Sequence, residues 1–210
     1  MGVTTSCARC GRPVKLLEAL LLDLDQAWQL SLTKPVCLRL IGSMALMTQT
    51  GYARGTKDMD VLETMALRQE VQQELMRLAA PKTELARRHR LYVDVVRSVL
   101  PFMPARPVCH PMAGLAGRLR HFEVEVVDVV DIVVSKLKRF HGDDAGDIEA
   151  MVDGGHVSHA ALVRRFRLAA ERFADDARAE ELPRYVRNLH QVERDLFGVD
   201  PSEIELPSWT

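Results

Sequence analysis

From Val14 the apolar residues Leu17, Leu20, Leu21, Leu24 and Trp28 recur at helical spacing, which predicts an amphipathic scaffold helix. Lys34-Pro35 ends that pattern, and the apolar run Val36 to Ile41 predicts a buried strand. Gly42-Ser43 breaks the strand and opens a helical segment, Met44 to Gln49. From Thr56 to Leu62 acidic and apolar residues alternate. A period of two sends Asp58 and Asp60 to one face of a strand, Met59 and Val61 to the other. A helix over Leu67 to Ala79, with Val71, Leu75 and Leu78 on one side, stops before Pro81. Arg87 to Arg90 predicts a solvated basic turn or a local nucleic-acid contact. A third strand follows at Leu91 to Val96.

Pro101 to Gly117 holds four prolines and two glycines and predicts a connecting loop. His121 to Val127 alternates again, and Glu123 and Glu125 predict the exposed face of an edge strand. Beyond it the pattern is helical throughout. Val130, Val133, Val134, Leu137 and Phe140 form one stripe, with Asp128 as N-cap and Gly142 as the stop. The acidic run Asp143, Asp144, Asp147 and Glu149 opens the next helix, where carboxylates suit the helix dipole. Gly154-Gly155 separates it from helices over Ala160 to Phe173 and Leu182 to Phe197, whose charges predict solvated faces. The expected fold class is α+β. A mixed sheet flanked by helices occupies residues 14–127, and a helical part over 128–200 closes one side of a cleft. Residues 1–13 and 201–210 are expected to be tails.

Length and composition narrow the function. The 210 residues are 47% hydrophobic and 27% charged, which suits a packed globular core. A net charge of −1 gives no global field to recruit nucleic acid, so such binding would need a local patch. No apolar run approaches the ~18 residues of a membrane span. No signal pattern stands at the N-terminus, so a cytoplasmic location is expected. Cys7-x-x-Cys10 has half of a zinc spacing, but no second pair follows nearby, which favours reduced thiols on a tail. Cys37, inside an apolar strand, is expected to be a small core residue.

The candidate chemistry lies between Pro35 and Glu63. Two carboxylates on one strand face repel each other, and a divalent cation is the simplest partner that makes the pair favourable. Hard oxygen ligands select Mg²⁺ or Mn²⁺. Gly42 permits a tight turn. Ser43 either caps the following helix or hydrogen-bonds a phosphate. Arg54 and Lys57 flank the turn before Asp58, either solvated or turned toward an anion. Asp94 sits among β-branched neighbours, where an ionised carboxylate needs a partner. It pairs with Arg97 or, as favoured here, completes the metal site from the adjacent strand.

Gly42-Ser43, a spacer, Asp58-x-Asp60 and then Asp94 resemble the nucleotidyltransferase superfamily with the DNA polymerase β-type fold. Val129 to Leu137 followed by Asp144-Ala145-Gly146-Asp147-Ile148 looks like the "DLxxxKL … KDxxD" segment of minimal bacterial members, similar to the AbiEii-type toxins. The likeness covers about residues 35–152. Where that segment carries Lys-Asp, this chain has Gly142-Asp143. The resemblance implies that Asp58, Asp60 and Asp94 are catalytic and bind Mg²⁺ or Mn²⁺. It implies that Gly42, Ser43, Lys57, Lys136 and Asp147 bind the nucleotide, with Asp147 orienting Lys136 or touching the nucleotide itself. The implied activity is transfer of an NMP from an NTP to a tRNA or protein acceptor, as the toxin of a toxin–antitoxin pair with an antitoxin protein as partner. An inactive nucleotide- or partner-binding module of the same fold is the alternative. A nucleic-acid partner using Arg87–Arg90 and Arg164, Arg165 and Arg167 is the third possibility.

Overall fold

The computed structural model describes residues 12–206. Cys7, Cys10, most of the expected N-terminal tail and residues 207–210 lie outside the described residues. The described residues form one five-stranded mixed sheet and eight α-helices, the α+β class expected for a nucleotidyltransferase-like fold. None of these helices is long and apolar enough to cross a membrane. The chain divides into two compact units: residues up to Ser98 with Cys109–Val127, and Val99–Val108 with Asp128 onward.

The first unit holds the sheet. Its strands are β1 (Val36–Ile41), β2 (Asp58–Leu62), β3 (Tyr92–Val96), β4 (Cys109–Pro111) and β5 (Phe122–Val127), in the order β3-β2-β1-β5-β4. β1 pairs antiparallel with β2 and parallel with β5, and β2 pairs parallel with β3. Leu38, Leu40, Met59, Val61, Val93, Val124 and Val126 are buried on one face. That alternation is what makes the opposite face available for polar groups. Four helices accompany the sheet: α1 (Arg12–Ala27), α2 (Gly42–Gln49), α3 (Gln69–Ala79) and α4 (Glu84–His89). Leu17, Leu20, Leu21 and Leu24 of α1 are fully buried, and α1 packs against α2, α3 and α4. Each such leucine contributes roughly 2 kcal/mol of burial energy. Trp28 meets Phe122 edge-on at 4.8 Å.

Three expectations change here. Phe122–Val127 is an interior strand, between β1 and β4. On its polar face Glu123 is exposed, as expected, while Arg39 reaches across from β1 to Glu125 at 3.1 Å. The edge on that side is β4, three residues inside the stretch expected to be loop. Arg87–His89 form the last turn of α4 rather than a free turn, with Thr83 capping the helix. Arg88 and buried His89 both reach Asp23 of α1, at 3.1 and 2.9 Å. The His89 hydrogen bond, with Arg88 behind it, holds the Asp23 carboxyl below its usual range against the opposing effect of burial.

The second unit is helical: α5 (Val129–Lys136), α6 (Asp143–Asp153), α7 (His159–Ala174) and α8 (Leu182–Val192), the last continuing through a π-turn at Glu193–Phe197. Asp128 caps α5 by accepting from the Val130 amide at 2.9 Å, as the sequence predicts. The Val99–Val108 segment packs into this unit through Phe102, whose ring meets Phe166, Phe173 and Tyr185 at 4.9–5.1 Å. Edge-to-face packing of this kind adds specific geometry to the area buried. Not all charges of the last helices are solvated. Arg165 donates to Asp131, which is fully buried and also accepts the Val108 amide at 2.8 Å. Glu193 is fully buried too. It accepts from the Ser202 amide and meets His159 Nε2 at 2.8 Å.

Candidate active site

The polar face of the sheet gathers the acidic residues singled out by sequence. Parallel pairing of β2 and β3 sets Asp58 opposite Tyr92 and Asp60 opposite Asp94. Registered neighbours on one face place their Cβ atoms about 5 Å apart. Asp58, Asp60, Tyr92 and Asp94 therefore form a two-by-two block. Asp94 is solvent-exposed, so it does not carry the burial cost that its apolar neighbours suggested. Tyr92 reports the block electrostatically. Burial first, and then the negative charges of Asp58, Asp94 and Asp60, push its phenol above the ordinary value.

Gly42 stands at the junction of β1 and α2 with φ +73, a left-handed conformation that glycine adopts without strain. A Cβ added there would lie 2.2 Å from Oδ2 of Asp60. The glycine thus allows the Asp60 carboxylate to sit directly against the turn. Ile41 of β1 is the registered partner of Asp60, which explains the juxtaposition: the end of one strand and the middle of the next meet there. Gly42→Ala is expected to cost about 1–2 kcal/mol through the left-handed backbone. It should cost about 100-fold in turnover through displacement of the carboxylate. Urea unfolding and steady-state rates measured together separate the two effects.

Ser43 is buried and does not cap α2, whose N-cap is Ile41. Its Oγ accepts from Nη2 of Arg54 at 2.6 Å. Arg54 is half-buried and spans from the Gly-rich turn back to the first residues of α2. It is the site residue that sequence pattern alone left between solvent and anion. Lys57 is exposed, immediately before β2. The Asp58 carboxylate accepts a short hydrogen bond from the Thr56 hydroxyl. Further along the same face, Cys37 is half-buried rather than a core residue. Burial and Glu125 push its thiol up to about 11, so it is no thiolate at neutral pH.

The remaining two sequence candidates lie together in the second unit. Lys136 is 5% exposed, and its Nζ donates to Asp144 at 2.9 Å and pairs with Asp147 at 2.8 Å. Arg139 also engages Asp144, at 2.8 Å. Burial disfavours ionisation of Asp144, but the Arg139 and Lys136 hydrogen bonds outweigh it and hold the carboxyl below its usual range. Both aspartates of the later motif thus fix Lys136.

Among the described residues, no group of three His, Cys, Asp or Glu side chains stands ready to hold a metal ion. The three aspartates share a face without being drawn to one point. Their chemistry still fits a hard divalent cation: carboxylate oxygens only, with no imidazole or thiolate among them.

No curated protein and no solved structure gives a significant match to the chain. A family model does, across residues 19–195, which take in the carboxylate block, the Gly42 turn and the Lys136 network. Its description is "Nucleotidyltransferase of unknown function (DUF6036)", and the chain belongs to that family.

Proposed function

We propose that this protein transfers an NMP from an NTP to a hydroxyl acceptor on RNA or protein, with Mg²⁺ or Mn²⁺. The observation that carries this is Asp60 paired in register with Asp94 and seated against the left-handed turn of Gly42. Asp58, Asp60 and Asp94 would hold the cation, which would neutralise phosphate charge and polarise the α-phosphoryl group. Gly42 and Ser43 stand at the N-terminal end of α2, and a helix N-terminus attracts phosphate oxygens. Arg54 fixes the Ser43 hydroxyl, and Lys57 adds positive charge at the rim. Asp94, the exposed carboxylate of the three, would take the proton of the acceptor hydroxyl. Asp147 and Asp144 hold Lys136 in position at the end of α5. The likeness to AbiEii-type proteins extends the proposal to a cytoplasmic toxin restrained by an antitoxin.

The test is incubation with each α-labelled NTP, Mg²⁺ and either total RNA or cell protein. Label in a macromolecule, with pyrophosphate released in equal amount, is expected. Nucleotide bound in calorimetry but no label with any acceptor would favour a binding module instead. That second reading is favoured by one observation: among the described residues, no three acidic side chains form a ready metal-ligand group.

A further inference from the structure

The carboxylate block has two sides, and strand order fixes what stands on each. On the β1 side, Ile41 is registered with Asp60, so the Gly42-Ser43 turn lies beside Asp58 and Asp60. On the β3 side, Tyr92 is registered with Asp58, and Asp94 with Asp60. Tyr92 and Asp94 are two residues apart on one strand and so share a face. Tyr92 is half-buried and Asp94 exposed, so both reach solvent. Hydroxyls on the other strands and on α2 are already committed. Ser43 accepts from Arg54, Thr56 donates to Asp58, and Thr48 and Thr50 donate to carbonyls of α2. The Tyr92 hydroxyl has no hydrogen-bond partner among the described residues. The charges of Asp58, Asp94 and Asp60 all act on it, so it faces the block rather than away from it.

We propose that the first acceptor of the NMP is the phenolic oxygen of this chain's own Tyr92. This rests on the nucleotidyl transfer proposed above. In such a displacement the attacking and leaving oxygens lie roughly in line across the α-phosphorus. Pyrophosphate leaving toward the Gly42-Ser43 turn requires the attacking oxygen to come from the opposite side, over β3. Tyr92 stands there already, on a strand about 4.8 Å from β2. A tyrosine carries its polar tip beyond an apolar ring, past the shorter aspartates beside it. The reaction needs no encounter with a second molecule, and an acceptor held in the same chain gains the corresponding advantage in rate. The step balances. The phenol enters as a neutral hydroxyl and gives its proton to Asp94 as its oxygen bonds to the α-phosphorus of the NTP. The bond from that phosphorus to the bridging oxygen breaks, and pyrophosphate leaves with the electron pair. The product is a phosphodiester between Tyr92 and the nucleoside. It occupies the β3 side of the block and closes the modified chain to a further acceptor.

The test incubates the full chain with Mg²⁺ and each α-labelled NTP in turn, with no added acceptor. Peptide mapping by mass spectrometry should find a single NMP per chain, on Tyr92. Pyrophosphate should appear as a burst of one equivalent, followed by release about tenfold slower. Labelling should be first order and independent of protein concentration. Tyr92→Phe keeps the ring and removes the hydroxyl. It should lose the label and the burst while melting close to wild type. The mapping in wild type decides the matter even where that variant fails to fold. Asp60→Asn chains mixed with wild type should stay unlabelled, because each chain modifies only itself. Label on any other residue, label on Tyr92 of the Asp60→Asn chains, or full labelling of Tyr92→Phe would overturn the proposal. So would an unlabelled chain that releases pyrophosphate only when RNA or another protein is added, and the transferase reading would then stand without Tyr92. No pyrophosphate release with any acceptor would overturn that reading and this proposal together.

Discussion

Asp60→Asn should abolish NMP transfer, with a loss of about 10³-fold or more. Asparagine keeps the shape of the side chain and removes its charge. The carboxylate lies against Gly42 and opposite Asp94, where the proposed reaction would hold its cation. Stability should change by less than about 1 kcal/mol, because the substitution is isosteric and also relieves repulsion among three like charges. That contrast separates a catalytic aspartate from a structural one. Transfer rates and urea unfolding on the same preparation decide it. Normal transfer by Asp60→Asn would remove the carboxylate block from the chemistry.

Lys136→Met should have the opposite signature: a large loss of stability. The ammonium lies between Asp144 and Asp147, whose side chains are 6% and 0% exposed. Removing one partner from a buried ion pair typically costs about 3–5 kcal/mol, because the charge left behind is poorly solvated. Arg139 remains beside Asp144, so Asp147 bears most of the penalty. Denaturant unfolding of the variant measures this directly. A shift below about 1 kcal/mol would mean that the network is dispensable to the fold.

The two signatures correspond to two kinds of sequence signal. Alternation at Asp58–Leu62 was legible because period two fixes which side chains share a face, whatever the neighbouring strands are. The pairing of Asp60 with Asp94 was not fixed by that pattern, since register depends on strand order. The interior position of Phe122–Val127 was hidden for a related reason. A strand with one polar face suits an edge, but here the strand lies inside the sheet, with Glu123 exposed and Arg39 paired with Glu125 across it. β4 escaped notice because three residues ending in proline carry no periodicity. Arg54 gave no pattern at all. Its contact with Ser43 depends on how the Gly-rich turn folds back on α2. Asp131 and Arg165 are joined only by the packing of α5 with α7. Local chemistry could be read from spacing; partners distant in the chain could not.

The central claim is that Asp58, Asp60 and Asp94 jointly hold a divalent cation beside the Gly42 turn. Mn²⁺ titration in the presence of an NTP, followed by electron paramagnetic resonance, addresses it most directly. The account predicts Mn²⁺ binding by the wild-type protein that tightens with NTP and disappears in Asp60→Asn. Mn²⁺ bound equally by both proteins, or by neither, would contradict it.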